Sequence, residues 1–306
     1  MPNMSNYPKG FTGGYSVRGL ALANTYSNGL VWVDSNGSAN GDGTFQRPYS
    51  TIDAAVGACT ASKGDVIVVK AGHVETITAA AGLALDVAGI TILGLGNARN
   101  RPQINYTTAV GASMKVSAAN IAMDGFWFTG NIDALTNPIH VDAADFTLTN
   151  WTWTDQTGEA TDVVLTTANA NRMQLASFEF ESATTAGTNA GIAIVGGDGI
   201  KIHDFVADGD YANAFIEVRT TATTDLKVWN CWSYRQRNSN DLFVKDTITG
   251  STGQIGPNLY LRLADNAANI TEAVTGATFV QHQPISVVNL AGEVGMQINT
   301  TASTDA

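Results

Sequence analysis

An eight-residue pattern of apolar and polar positions recurs five times between Ile121 and Ser233, at intervals of 25, 27, 27 and 26 residues. Positions one, three and six are apolar in every copy, whereas positions two, four and seven are mostly polar or small. An apolar period of two is typical of strands with one buried face. The copies are IAMDGFWF (121–128), FTLTNWTW (146–153), MQLASFEF (173–180), IKIHDFVA (200–207) and LKVWNCWS (226–233).

Position five breaks the strand pattern in every copy. These residue types tolerate left-handed backbone angles or hydrogen-bond to their own backbone. Each copy is therefore predicted to be two short strands joined by a sharp bend. The residues at position five are Gly125, Asn150, Ser177, Asp204 and Asn230.

A third apolar segment lies upstream of each copy, so that one repeat contains three short strands. A unit of this length cannot bury its own apolar face and must stack on its neighbours. The pattern predicts an all-β, right-handed parallel β-helix of about seven to eight coils, with further coils at 90–95 and 254–261. A leucine-rich horseshoe usually has a denser Leu pattern, and a β-sandwich has no fixed period. The upstream segments are Met114–Val116, Ile139–Val141, Val163–Leu165, Ile192–Ile194 and Ile216–Val218.

The open ends of such a rod expose strand edges that must be covered. Ser50 or Thr51 is suited to N-cap a short capping helix that ends near Cys59. Ile52, Ala55 and Val56 would form its apolar face, and 65–70 is predicted to be the first strand.

We therefore predict three parts of the chain. Residues 1–29 form an N-terminal arm, and 30–280 form the β-helix with its N-terminal cap at 34–70. Residues 281–306 form a C-terminal cap or extension, with a strand within 284–298.

Composition narrows the classes of function. Lys and Arg number 16 against 27 Asp and Glu, a net charge of −11, and there is no basic tract to bind nucleic acid. No apolar run is long enough for a membrane span, and residues 1–14 lack the apolar core of a secretory signal. The two cysteines, Cys59 and Cys231, are too few for a disulfide framework and are predicted to be reduced.

The segment before the coils carries a resemblance to a known family. DGTFQRPYSTIDAAV (42–56), followed by KGDVIVVKAGHVETI (63–77), resembles the entry segment of right-handed parallel β-helix proteins of the pectate-lyase-like superfamily. More narrowly, the run from about Tyr15 to Ile104 is similar to β-helix proteins among the virion structural proteins of tailed phages. The resemblance implies a virion structural role. It also implies that any enzymatic relatives act on polysaccharides with groups on one outer face of the coils.

One column of carboxylates fits such an enzyme. Glu181 and Asp208 occupy position nine of adjacent copies, and Asp155 lies close to this column. Strands about 4.8 Å apart would give the separation of about 5 Å that retaining glycosidases use. With 27 acidic residues, some alignment is expected by chance, and the paired Asp and Gly-His-Gly pattern of polygalacturonases is missing. Catalysis by these residues is therefore the alternative hypothesis.

His203, at outward position four, is predicted to be a solvated surface residue. No second His or Cys joins it in neighbouring copies. We expect no metal site and no cofactor.

Two groups of residues are candidates for a partner interface. A cluster of exposed Trp, Tyr and Arg side chains is typical of an interface hot spot. Two alternatives are that a loop covers these side chains or that they stack on sugar rings. The arm carries too many apolar residues for a solvated tail, which favours an arm that orders against a partner. The candidates are Trp229, Trp232, Tyr234, Arg235 and Arg237 in the last copy, and Phe11, Tyr15, Arg18, Leu20 and Tyr26 in the arm.

The favoured hypothesis is a non-enzymatic phage virion structural protein. It would be a capsid decoration (cement-type) or head-attached subunit, made in the host cytoplasm, that docks through its arm on the capsid or another virion protein. A homo-oligomer is expected, with a trimer favoured. The alternative is a glycan-binding or glycan-cleaving β-helix protein, resembling a tailspike or depolymerase, whose partner is a surface glycan.

Overall fold

Parallel strands are the main secondary structure of the described chain. The computed structural model describes residues 15–17, 20–22, 30–38, 40–158, 160–182, 188–209, 211–234, 242–262, 274–275, 278–281, 285–288 and 294–297. In this part of the chain the only α-helix is α1, Ile52–Ala58, and a 3-10 turn spans Ala98–Asn100. No helix among these residues is long and apolar enough to cross a membrane.

The strands form three ladders in which each coil pairs in parallel with the next. The first ladder contains β3 (Leu30–Val33), β4 (Val66–Val69), β7 (Thr91–Gly94), β10 (Ile121–Asp124), β21 (Gly253–Ile255) and β24 (Phe279–Gln281). The second contains β5 (Val74–Ile77), β8 (Gln103–Tyr106), β11 (Trp127–Gly130), β22 (Leu259–Arg262) and β25 (Ile285–Val288). Four long strands run through both ladders: β13 (Phe146–Asp155), β15 (Gln174–Glu181), β17 (Lys201–Asp208) and β19 (Leu226–Tyr234).

The third ladder arises from the upstream apolar segments. It contains β6 (Leu83–Leu85), β9 (Met114–Val116), β12 (Leu135–Val141), β14 (Ala160–Thr166), β16 (Thr188–Ile194), β18 (Tyr211–Val218), β20 (Leu242–Asp246) and β23 (Val274–Thr275). The chain thus winds through about seven turns of a parallel β-solenoid. This confirms the predicted fold class, including the coils expected at 90–95 and 254–261.

The bend between the first and second ladders occurs at position five. Gly125 has φ +84°, and Asn150, Ser177, Asp204 and Asn230 have φ between +51° and +56°. This left-handed conformation favours glycine and short polar side chains. The predicted sharp bend is therefore confirmed in all five copies.

The solenoid interior is filled by columns of equivalent side chains. The residues at positions one, three, six and eight are buried in all five copies. At position six, Trp151 stacks on Phe178 at 4.5 Å between ring centroids, and Phe178 stacks on Phe205 at 4.6 Å. Phe215 of the third ladder lies 4.9 Å from Phe205 and closes this aromatic core. Cys231 continues the column as a buried free thiol, as predicted.

The N-terminal end of the rod is covered by the predicted helix and by a loop. Thr51 N-caps α1 by accepting a hydrogen bond from the Ala54 N–H, and the helix buries Ile52, Ala55 and Val56. The outer edge of β3 pairs with the loop, because Trp32 N–H donates to Gly43 O and Tyr49 N–H donates to Trp32 O. These bonds satisfy the strand edge.

Three further features concern the two ends of the described chain. The prediction that 65–70 is the first strand was wrong, because the apolar LVWV of β3 precedes β4 and pairs with it in register. Strand β26, Val294–Gln297, pairs antiparallel with β25, so the strand expected within 284–298 is present. Residues 15–17 (β1, Tyr15–Val17) and 20–22 (β2, Leu20–Leu22) form a separate two-stranded antiparallel sheet.

We predict that Gly191→Ala destabilises the solenoid by about 1–3 kcal/mol, the usual cost of overpacking a core. A Cβ at Gly191 would collide with the Phe215 ring, which is held between Phe205 and Tyr211. The measurement is the midpoint of urea unfolding. Gly111→Ala is the matched control, because a Cβ there meets nothing within 4 Å. Equal midpoints for the two variants would contradict this packing.

Candidate functional site

A groove runs along the outside of the solenoid where the first ladder bends into the second. Its volume is about 890 Å³, and it crosses four successive coils. The bends contribute their position-five side chains, and the second ladder contributes its outward position-seven side chains. We call it the bend groove, and the lining residues used below are Arg101, Asn150, Thr152, Ser177, Glu179, Asp204, Val206, Asn230 and Trp232.

The position-seven row is placed by the register of the parallel strands. Thr152 pairs with Glu179, and Glu179 pairs with Val206. Val206 pairs with Trp232, which in turn pairs with Tyr260 of β22. Since strands of one sheet lie about 4.8 Å apart, the row presents one side chain per coil. It changes from polar to apolar and aromatic toward the C-terminal end.

Arg101 forms one side of the groove and reaches across two coils. Its Nη1 donates to the Asn150 carbonyl at 3.1 Å, and its Nη2 donates to the Thr152 hydroxyl at 2.6 Å. The guanidinium therefore holds the chain before β8 against the bend of β13. Local sequence patterns do not predict this contact, because about 50 residues separate its partners.

Asp204 contacts two neighbouring polar side chains in the groove. His203 Nδ1 lies 2.7 Å from Asp204 Oδ2, and the Asn230 amide donates to Asp204 Oδ1. These hydrogen bonds, first that of Asn230 and then that of His203, lower the pKa of Asp204 below its ordinary value. Asp204 therefore carries its negative charge at neutral pH.

The prediction that His203 is a solvated surface residue was wrong. Its side chain is only 13% exposed, and its ring stacks on Trp229 at 4.1 Å with an 11° angle between the planes. Gln174 Nε2 lies 3.0 Å from His203 Nε2. The reason is the register, which places the position-four side chains of successive coils directly on one another.

Of the two predicted interface side chains in the last copy that the structure describes, Trp229 and Trp232, the second is the exposed one. Its side chain is 44% exposed, and Tyr260 beside it is 39% exposed, with 4.7 Å between ring centroids. Trp229 is half-buried against His203. Tyr260 was missed because it lies in the degenerate coil, although its position in that coil matches that of Trp232.

The other predicted interface residues are described incompletely or not at all. Tyr234 ends β19, and Tyr15 and Leu20 lie in β1 and β2, but only their backbone is described. The residues that lie outside the described part of the chain are Phe11, Arg18, Tyr26, Arg235 and Arg237.

The carboxylates of the alternative catalytic hypothesis lie beyond the bend groove, at the end of the second ladder. Glu181 and Asp208 are paired residues of adjacent strands, as predicted. Asp155 lies one residue further along, since Thr154 is the residue that pairs with Glu181. Asp155 Oδ2 accepts a hydrogen bond from Ser182 Oγ at 2.8 Å. The structure thus brings two of the three carboxylates side by side and gives the third a structural partner.

Among the described residues, no group of three or more His, Cys, Asp or Glu side chains is arranged to hold a metal ion. In the acidic loop at 34–43, Asp34 lies 3.3 Å from Lys70 Nζ, and Asp42 lies 3.2 Å from Arg47. These two carboxylates therefore form ion pairs that hold the loop in place.

We predict that Asn230→Gly raises the pKa of Asp204 toward its ordinary value of 3.8, because the variant keeps the left-handed bend and removes the amide donor. A depressed carboxyl pKa stabilises the fold above the unfolded pKa, and this contribution is lost as the pH falls through the folded pKa. The variant's unfolding midpoint should therefore fall less steeply as the pH drops below the ordinary value of 3.8. Carbon-detected NMR titration of Asp204 measures the pKa directly.

Asn150→Gly is the matched control for this prediction. Asn150 occupies the same position of another coil and donates to Asp124 instead. An Asp204 pKa that rises equally in both variants, or in neither, would contradict the assigned hydrogen bond.

Comparison with known proteins adds little beyond the fold. No protein-family model matches the chain, and no curated protein matches its sequence. Among solved structures, a rhamnogalacturonan lyase is similar, with a TM-score of 0.49 and 13% sequence identity. The match covers 89% of this chain and 90% of the lyase chain. At that identity the likeness concerns the fold alone.

Proposed function

We propose that the protein is a non-enzymatic structural subunit of a phage virion, a capsid decoration or head-attached rod that docks through its N-terminal arm. The supporting observations are the rigid solenoid, the separate N-terminal hairpin and the resemblance of Tyr15–Ile104 to β-helix proteins of tailed-phage virions. A phage capsid or another virion protein would be its partner, and a homotrimer is the favoured assembly.

The observation that carries this proposal is the separate sheet of β1 and β2. Every other described strand belongs to one of the two large sheets of the solenoid, whereas these two pair only with each other. Each has three residues, and an isolated two-stranded hairpin is at best marginally stable in water. A partner surface would supply the packing that a hairpin this short requires. This supports an arm that docks.

The rigidity of the solenoid is suited to a spacer role. Its coils are joined by continuous ladders of backbone hydrogen bonds, and its core is a stack of aromatic rings. Close-packed interiors of this kind resist deformation. A rod attached at one end would therefore hold its outer face at a fixed distance from the particle.

We predict that a virion produced with residues 1–29 deleted from this chain lacks the protein, because the docking arm is absent. The purified truncated chain should keep the circular dichroism spectrum and urea unfolding midpoint of the full-length solenoid. Protein content of gradient-purified particles is the measurement, and a chain lacking residues 298–306 is the control that should remain attached.

Two results would contradict the proposal. The first is full occupancy of the truncated chain on the virion, or absence of the full-length chain from it. The second is cleavage of a host polysaccharide by the purified protein that disappears in Glu181→Gln, which would establish the catalytic alternative.

A further inference from the structure

We infer that Lys245 and Asn213 join covalently as an isopeptide crosslink between two adjacent coils of the solenoid, with Glu217 moving the proton. We call these three residues the crosslink site. The inference concerns a modification of the coils and is independent of docking through the arm. It rests on the hydrogen bonds among the three side chains, on the register of their strands and on the enclosure of Glu217.

The register of the third ladder brings the three side chains together. Glu217 of β18 is paired with Lys245 of β20, and adjacent strands lie about 4.8 Å apart. Asn213 lies earlier in the same strand β18. The Lys245 ammonium donates to Asn213 Oδ1 at 3.4 Å, and Asn213 Nδ2 donates to Glu217 Oε2 at 3.3 Å. The carboxamide therefore lies between the amine and the carboxylate.

The partner of Lys245 differs from those of other lysines on the coils. Lys245 donates to a carboxamide whose nitrogen is held by a carboxylate. An ion pair needs no amide between its charges. The order of amine, carboxamide and carboxylate is the one in which a nucleophile, an electrophile and a proton carrier must meet. The lysines that contact a carboxylate directly, at 2.8–3.5 Å, include Lys70 with Asp34, Lys115 with Asp142 and Lys227 with Asp225.

The reaction is an attack of the neutral Lys245 amine, formed when its ammonium releases a proton to solvent, on the carbonyl carbon of Asn213. The Nζ–Cγ bond forms, and the Cγ–Nδ2 bond breaks. Glu217 accepts a proton from the attacking amine and returns it to Nδ2, with which it already shares a hydrogen bond. That nitrogen leaves as ammonia, and Glu217 regains its original state. No group is oxidised or reduced, and no co-reactant is consumed.

The Glu217 carboxylate is enclosed by its neighbours. The residue is only 4% exposed, and its paired neighbour Ala193 is fully buried. Arg219 covers this part of the face, since its guanidinium donates to Glu217 Oε2 at 3.1 Å and to Asp162 Oδ2 at 2.5 Å. Exclusion of water strengthens the electrostatic interactions within a site. Fixing the amine and the amide in contact also replaces a bimolecular encounter with a step inside one molecule.

The crosslink would tie together two coils near the C-terminal end of the described solenoid. Asn213 and Lys245 are 32 residues apart in the chain. A covalent loop that joins distant residues lowers the entropy of the unfolded chain. The bond would therefore stabilise these coils and keep them together when the hydrogen bonds between them open.

The test is intact-mass spectrometry of the purified full-length protein under denaturing conditions. Its mass should be lower than that of the sequence by one ammonia molecule. A tryptic digest should contain a branched peptide in which Lys245 and Asn213 are joined, because trypsin does not cleave after an acylated lysine. Lys245→Arg and Asn213→Ala should each have the full mass of their sequence. Lys227→Arg is the matched control, because Lys227 pairs directly with Asp225, and it should keep the loss of ammonia.

Glu217→Gln tests the proton transfer. This variant should form the crosslink roughly a hundredfold more slowly during incubation at neutral pH, which is within the usual contribution of a positioned acid or base. An unchanged rate would overturn the role of Glu217. Circular dichroism verifies that each variant is folded.

Two results would overturn the crosslink itself. The first is a folded natural chain that keeps its full mass after prolonged incubation. The second is a loss of ammonia that persists in Lys245→Arg without a branched peptide, as succinimide formation at an Asn-Gly pair such as Asn36 and Gly37 would produce. None of these outcomes depends on virion attachment, so the crosslink and the proposed function are tested separately.

Discussion

The in-register pairing of parallel strands between successive coils is the interaction on which the rest of the structure depends. It places each side chain directly beside its equivalent in the next repeat. Inside the solenoid this produces the stack of Trp151, Phe178 and Phe205. A slip of one residue would turn each of these rings outward. The same register creates the rows of the bend groove, so the core and the surface site have a common origin.

The bends show how architecture and surface chemistry are linked. A left-handed conformation costs a non-glycine residue roughly 1–2 kcal/mol. Four of the five bends have a non-glycine residue in this conformation. Hydrogen bonds between coils help to offset this cost, since Asn150 donates to Asp124 and Asn230 donates to Asp204. Polar side chains at position five are therefore explained by folding alone. Position seven carries no such constraint, so folding does not explain the identities of Glu179, Trp232 and the equivalent Tyr260.

Local signals and the repeat allowed most of the fold to be predicted. The alternation of apolar residues identified the strands, the bend residues identified the corners, and the pair Ser50 and Thr51 identified the start of α1, where Thr51 is the N-cap. The bend groove was not predicted, because Arg101 joins it through partners about 50 residues away. His203 was misjudged as solvated for a different reason. It and Trp229 share position four, so column-by-column comparison of outward side chains would have indicated their stacking.

The same reasoning separates the arm from the surface of the coils. A solenoid whose interior is fixed by register can change function only at its outward positions or in segments outside the repeat. The arm precedes the first coil in the chain, whereas Trp232 and Tyr260 belong to coils near its C-terminal end. Because these features share no residue, docking through the arm and any contact made by the coils can be tested with separate variants. The register that packs the core also sets which side chains the coils present to solvent.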